Sequence, residues 1–338
     1  MPSGIKNIMV NKMKISIVMA TYNGELYIEK QLASICNQTV PPDEIIISDD
    51  RSSDNTISII KSFINKNNIA QKTNIYVNNT QLGFAKNFLN AISKSSGDIL
   101  FFCDQDDIWN LKKIERFINI FKEKKAMAVI CRQKYIDEED NEVIPMIAGS
   151  GIYDRFSFLK FSKIVRRVAF SEQINSNRST GMALAARREI VLSCILYVNK
   201  YGLSHDSIIG LYASLCQGMY FINENLVYRR IHASNTSQPI LGFFSRVSRE
   251  RKFIMGLDSR IKLLNVCIKE WKEKLTLKQI KNLKKTIYLY VNIKQSVMDH
   301  DIRKVIMGGF SINKMINIRL LLLGLLLSLK RKIKKSSE

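Results

Sequence analysis

The chain has 338 residues, 46% of them hydrophobic, which is enough for one large or two ordinary domains with a real core and excludes a disordered or low-complexity chain. Its formal net charge is +22, and 23 Lys+Arg against 7 Asp+Glu from Leu241 onward place +16 of that in the last third. Such an asymmetry points to a basic region meeting an anionic surface, either membrane or nucleic acid. The six cysteines form no CxxC pair and the three histidines lie far from any cysteine pair, which argues against a disulfide framework and a structural zinc. No secretory leader is evident, so reduced, mostly buried thiols in a cytoplasmic protein are expected.

In chain order, Lys14 to Ala20 is an apolar, β-branched run and reads as a buried strand. Glu25 to Gln38 has apolar residues near helical spacing. Glu44 to Asp50 is a second strand, and Ser53 or Asp54 then caps a helix running to about Asn65. The segments NIYVNN, GFAKNFLNAISKS, DILFFCD, NLKKIERFINIFKE and AMAVIC continue as strand, helix, strand, helix, strand. Strands alternating with single helices predict a mostly parallel sheet covered on both faces.

Ligands bind such sheets at the carboxyl ends of the strands. Three loops therefore stand out: ATYNGE, SDDRSSD and CDQDDIW. In the last, three acids follow an apolar strand, where desolvation demands a partner.

The second part is less regular. Asp154 to Phe170 is basic and amphipathic, and NRSTGMALAARREIV reads as a strand feeding a helix. SHDSIIGLYASLCQ opens another helix, and MYFINENLVYRRIHASN reads as two short strands. After Gln238 the chain is helical, basic and leucine-rich. Leu320 to Leu329 forms an apolar run before Lys330, Arg331, Lys332, Lys334 and Lys335. At roughly 15 Å such a helix is too short to span a bilayer, and it is expected to lie at the interface.

The blocks ISIVMATYNGELYIEKQLASICNQT, EIIISDDRSSDNT and GDILFFCDQDDIW, in that order and spacing, resemble the family 2 glycosyltransferases. Together with SHDSIIGLY and YRRIHASN they look like the non-processive bacterial rhamnosyltransferases and hexosyltransferases of surface polysaccharide assembly, such as capsule and O-antigen. The QxxRW element of processive synthases is absent around Trp109 and Trp271.

The resemblance implies an α/β GT-A (nucleotide-diphospho-sugar transferase) fold over residues 1–238. Its nucleotide-binding half is about 12–131 and its acceptor half about 150–238. A basic helical C-terminal region, 239–338, carries a membrane-association helix at 318–336. It also implies an inverting, metal-dependent enzyme that moves a sugar from a UDP- or dTDP-sugar donor to a lipid-linked saccharide acceptor. Such an enzyme works at the inner face of the cell membrane, with no nucleic-acid partner.

By the same resemblance, Thr21, Tyr22 and Asn23 wrap the nucleotide and Asp50 meets the uracil or thymine imide. Asp49 instead orients its loop. Asp104 serves ribose or the metal, Asp106 binds Mn²⁺ or Mg²⁺ directly, and His232 ligates the metal or touches the diphosphate. Arg229 and Arg230 are phosphate contacts, and Ser179 to Met182 line the sugar pocket. Asp206 is the catalytic base. The competing structural roles are a cap of the following helix for Asp107 and a cap for Asp206 after Ser204. At the level of the whole chain, the alternative is a non-catalytic, basic membrane-surface scaffold of an assembly complex.

Overall fold

The strand-to-helix alternation of the first 130 residues forms as the residues dictate. In the computed structural model, which describes residues 12–144, 164–176, 179–233, 235 and 246–299, β1 (Ile15–Thr21), β2 (Glu44–Asp49), β3 (Thr73–Val77) and β4 (Ile99–Cys103) pair in parallel in the order β3-β2-β1-β4. The intervening helices are α1 (Ile28–Cys36), α2 (Thr56–Lys66) and α3 (Phe84–Lys94). Successive side chains on a strand leave opposite faces. Ile17, Met19, Phe101 and Cys103 accordingly join one buried cluster with α1, α2 and α4 (Lys113–Glu123), while Val18, Leu100 and Phe102 join the other with α3. Both faces are covered, and β1, β2 and β4 are buried along nearly their whole length.

Beyond β4 the sheet also takes on antiparallel strands. β5 (Ile108–Trp109), β6 (Ala128–Ile136), β7 (Glu142–Val143), β8 (Val165–Arg167), β9 (Leu184–Arg187) and β10 (Met219–Arg230) extend it in the order β4-β9-β6-β10-β5, with β7 on β6 and β8 on β10. β9 inserts antiparallel between β4 and β6, while β6 and β10 pair in parallel. Six strands, β1, β2, β3, β4, β6 and β10, thus point one way. Their carboxyl ends share one edge of the sheet. The polar segment Asn223–Asn225, which suggested a break into two strands, lies inside the single strand β10, accommodated by two register shifts against β6.

The helices of the second part are α5 (Phe170–Ser176), α6 (Arg188–Cys194), α7 (Leu196–Tyr201), α8 (His205–Leu215), α9 (Arg246–Glu270) and α10 (Leu277–Met298). α8 is buried along nearly its whole length. α9 and α10 form a hairpin whose Leu257, Leu264, Trp271, Leu283 and Tyr290 share the cluster that contains Phe102 and α8. Tyr212 packs on Trp271 with ring centroids 4.8 Å apart, and Arg260 donates to the Asn175 carbonyl at 3.1 Å. Among the described residues no helix is long and apolar enough to cross a membrane. The expected interfacial helix at 318–336 lies outside the described residues.

Candidate active site

All three sequence-selected loops leave the common carboxyl edge of the sheet. The first two are locked to each other. Thr21 is buried, and its hydroxyl donates to Asp49 Oδ2 at 2.8 Å. Asp49 also accepts from the backbone N–H and the hydroxyl of Ser52, at 2.8 and 2.6 Å, so it does orient its loop. Asn23 sits at φ +47°, a conformation asparagine tolerates well. Its N–H donates to Ser52 Oγ at 2.9 Å, and its Oδ1 accepts from the Ser53 N–H at 2.8 Å. Asp50 is buried and accepts from the N–H groups of Leu82 and Gly83, at 2.7 and 2.8 Å, and from Asn78 Nδ2 at 3.0 Å. It therefore fixes the loop that enters α3.

The third loop is tied to the first through a residue that the sequence reading passed over. The Gln105 side-chain amide pairs with the backbone of Tyr22 in both directions: Oε1 accepts from the N–H at 2.8 Å and Nε2 donates to the carbonyl at 2.9 Å. Gly24 lies beneath it, and a Cβ there would push the Gln105 amide out of this pairing. The Tyr22 side chain itself stays exposed.

Asp106, the following acid, meets the end of β10. Its Oδ2 lies 2.8 Å from His232 Nε2 and accepts from Asn235 Nδ2 at 3.0 Å. The imidazole packs on Tyr27, centroids 5.0 Å apart. The structure thus brings together two residues 126 positions apart that the resemblance had both assigned to the metal. Asn235 was not foreseen, although its spacing of three from His232 was visible.

Asp107 does not cap α4. It is buried, and its Oδ1 accepts from the Arg230 N–H at 3.0 Å. Nor is Arg230 placed for phosphate. It is fully buried, and its guanidinium donates to the carbonyls of Asp106 (3.0 Å) and Asp137 (2.6 Å), pairs with Asp140 and stacks 4.6 Å from the Tyr27 ring. Arg229 is half-buried, and its charge favours ionisation of Asp104 and Asp107.

Behind the acids lies Lys113, also unforeseen. It is fully buried, donates to the Met182 carbonyl at 2.6 Å and sits 3.3 Å from the centroid of the Trp109 ring. Burial pulls its ammonium down to about 8. It anchors the 181–183 turn from below.

The other side of the site is α8. Asp206 lies in its first turn, half-buried, with Oδ1 accepting from the Ser207 N–H at 2.6 Å. His205 beside it is fully buried against Phe88 and Phe102, with centroids at 4.3 and 5.1 Å. Burial depresses its pKa, so it is held neutral. The 179–183 segment packs over this helix: Ser179 accepts from Gln173 Nε2 at 2.7 Å, and a Cβ at Gly210 would run into the Ser179 side chain, Cβ included, so glycine is the residue that fits there. Glu172, a second acid in this region, is paired with Arg166 at 2.6 Å.

The electrostatics converge on Asp104. Burial first, and then the charges of Asp106 and Asp206, raise its pKa to about 7. Three carboxylates gathered at one strand end are a site that gains from a cation. No three His, Cys, Asp or Glu side chains converge as a self-sufficient metal cage among the described residues. A cation that bridges a diphosphate needs less. It takes phosphate and water oxygens and only one or two carboxylates, which this donor set fits.

The sequence model of glycosyl transferase family 2 matches residues 16–190, more than half the chain and all three of these loops. The chain belongs to glycosyl transferase family 2. The dTDP-rhamnosyl transferase RfbG of Shigella flexneri is 42% identical over 105 residues, which are 30% of this chain and 36% of that protein. Among solved structures, residues 1–349 of Staphylococcus aureus TarS in complex with UDP-GlcNAc superpose with a TM-score of 0.55 at 15% identity, over 95% of this chain and 92% of that one. The mannosyltransferase PcManGT of Pyrobaculum calidifontis, in complex with GDP-Man and Mn²⁺, gives 0.52 at 15% identity, over 96% and 88%. These likenesses establish the GT-A fold.

Proposed function

We propose that this glycosyltransferase is inverting and metal-dependent, and that it moves a hexose-type sugar from a UDP- or dTDP-sugar to a lipid-linked saccharide acceptor in surface polysaccharide synthesis. The observation that carries the proposal is the meeting of Asp106 with His232, 2.8 Å apart at the carboxyl edge of the sheet, beside Asp104. Residues 12–131 supply the donor side and about 150–238 the acceptor side. Region 239–338, which carries most of the net positive charge, faces an anionic membrane on the cytoplasmic side.

In this reading Asp106 holds Mn²⁺ or Mg²⁺, with Asp104 and His232 beside it. The ion would act as a Lewis acid on the departing diphosphate. Thr21, Tyr22, Asn23 and Asp50 shape the nucleotide cleft. The backbone at Tyr22 is set by Gln105, and the 78–83 loop is set by Asp50. Arg229 adds positive charge beside Asp104. Asp206 takes the proton of the acceptor hydroxyl as its oxygen attacks the anomeric carbon. The bond from that carbon to the phosphate oxygen breaks, and the nucleoside diphosphate leaves with the electron pair. Neutral His205 cannot compete with Asp206 for the proton, because it is sealed among phenylalanines.

The test is a donor panel. Purified protein with Mn²⁺ is heated with UDP-, dTDP- and GDP-sugars. A true donor raises Tm in proportion to occupancy, and only with the metal present. A rise with GDP-sugars alone, or one indifferent to Mn²⁺, overturns the donor or metal assignment.

A further inference from the structure

The outer face of α10 is built differently from an ordinary solvated helix face. Leu283, Thr286, Leu289, Tyr290, Ile293 and Val297 face the core. On the opposite side Leu277, Lys281, Lys284, Tyr288, Val291, Gln295 and Met298 follow one another at alternating intervals of four and three, so they form a single stripe. Leu277 is 86% exposed, Tyr288 64% and Met298 49%. Lys278 and Lys285 flank the stripe, and none of these four exposed lysines makes an ion pair among the described residues. The helix contains no Asp or Glu over its 22 residues. At 1.5 Å per residue the stripe is about 33 Å long.

We infer that this face of α10 is a docking surface for an anionic lipid bilayer, lying flat in the headgroup region. The inference rests on the membrane-side reading above and assigns it to particular residues. Charge complementarity calls for an anionic partner. The apolar residues decide which one: a polyanion such as nucleic acid gains nothing from covering Leu277 and Met298, whereas a bilayer takes lysines at the headgroups and leucine, valine, methionine and tyrosine at the acyl boundary. The chain that follows α10 continues in the same chemistry, with the leucine run Leu320–Leu329 and its basic cluster ending it. Two lipid-seeking segments joined in sequence bind more firmly than either alone.

The experiment is co-sedimentation of the full-length chain with phosphatidylcholine vesicles and with vesicles containing 30% phosphatidylglycerol. Two face variants are compared with the parent: K281E/K284E, and the charge-preserving L277S/Y288S/M298S. Thermal response to UDP with Mn²⁺ is recorded for each. Each variant is expected to lower partitioning onto the phosphatidylglycerol vesicles at least about tenfold, from the loss of lysine attraction or of apolar burial, while the nucleotide response stays as in the parent. Parent-like vesicle binding by the apolar variant overturns the proposal, and so does retention on duplex DNA stronger than on vesicles. A parent chain that binds vesicles but ignores UDP overturns the UDP-donor reading instead, and leaves the docking face standing.

Discussion

Asp206 is placed where two roles are compatible. It lies in the first turn of α8, where an acid favours the helix dipole, and its charge acts on Asp104. The two roles separate on one variant. Asp206→Asn is expected to bind nucleotide as the parent does, to lose less than about 1 kcal/mol of stability and to transfer sugar at least about 100-fold more slowly. Tm and acceptor-dependent turnover measure the two sides, and near-normal turnover would leave Asp206 as a helix-end residue. Asp106→Asn is a different experiment. Its Oδ2 joins His232 and Asn235, so the variant is expected to fold but to lose the enhancement of UDP affinity by Mn²⁺. Titration calorimetry with and without the metal decides it; an unchanged enhancement moves the ligand elsewhere. The acids were legible in the sequence because charges after an apolar strand are costly without a function. Gln105, Lys113 and Asn235 were not. An amide, a lysine and an asparagine are ordinary loop and helix-surface residues until folding places a distant backbone or side chain against them.

At the scale of elements, the first four strands and their helices were readable because each is apolar on the faces that the layers bury. The inversion of β9 was not, since a four-residue strand with Leu184, Ala185 and Ala186 all buried carries no sign of direction. The amino ends of β1 and β2 offer a stability test far from the site. Glu44 begins β2, and although burial opposes its ionisation, the hydroxyls of Ser16 and Ser96 and the Ser96 N–H outweigh it and hold its pKa at about 2. The folded pKa is depressed, so its contribution is complete above the ordinary glutamate range and is lost as pH falls through that range towards 2. Allowing for solvent screening at this edge of the sheet, the contribution is on the order of 1–2 kcal/mol. Glu44→Gln is expected to be less stable than the parent at pH 7 by that amount and to show a flatter decline of urea midpoint between about pH 4.5 and pH 2. Parallel curves for the two proteins would show that the carboxylate makes no net contribution.

At the scale of the whole molecule, the site is assembled from segments more than a hundred residues apart, and Arg230 is the residue that holds most of them. It ends β10, yet its guanidinium reaches the Asp106 carbonyl from the DQDD loop, the Asp137 carbonyl and Asp140 from the β6–β7 hairpin, and the Tyr27 ring at the entry to α1. In the sequence it was one basic residue among 52, and nothing local distinguished it from Arg229. The fold makes the difference, because β6 and β10 run parallel and deliver their carboxyl ends to the same edge as β4. Arg230→Met keeps much of the apolar stem but leaves the carbonyls of Asp106 and Asp137 without their donor and the exposed Asp140 without its partner, and is expected to cost about 2–3 kcal/mol. Arg230→Lys restores charge without the planar fork and should recover only part of it. Lys30 provides the contrast: it pairs with the same Asp140 at 2.6 Å but is half-exposed, so Lys30→Ala should cost no more than about 1 kcal/mol. Urea unfolding of the three variants tests the stability order. Because Arg230 also tethers the backbone of Asp106, Arg230→Met should weaken UDP binding in Mn²⁺ under conditions where the protein is still folded, whereas Lys30→Ala should not. Equal effects of the two substitutions on stability and nucleotide affinity would mean that Asp140, rather than the backbone of the DQDD loop, is what Arg230 serves.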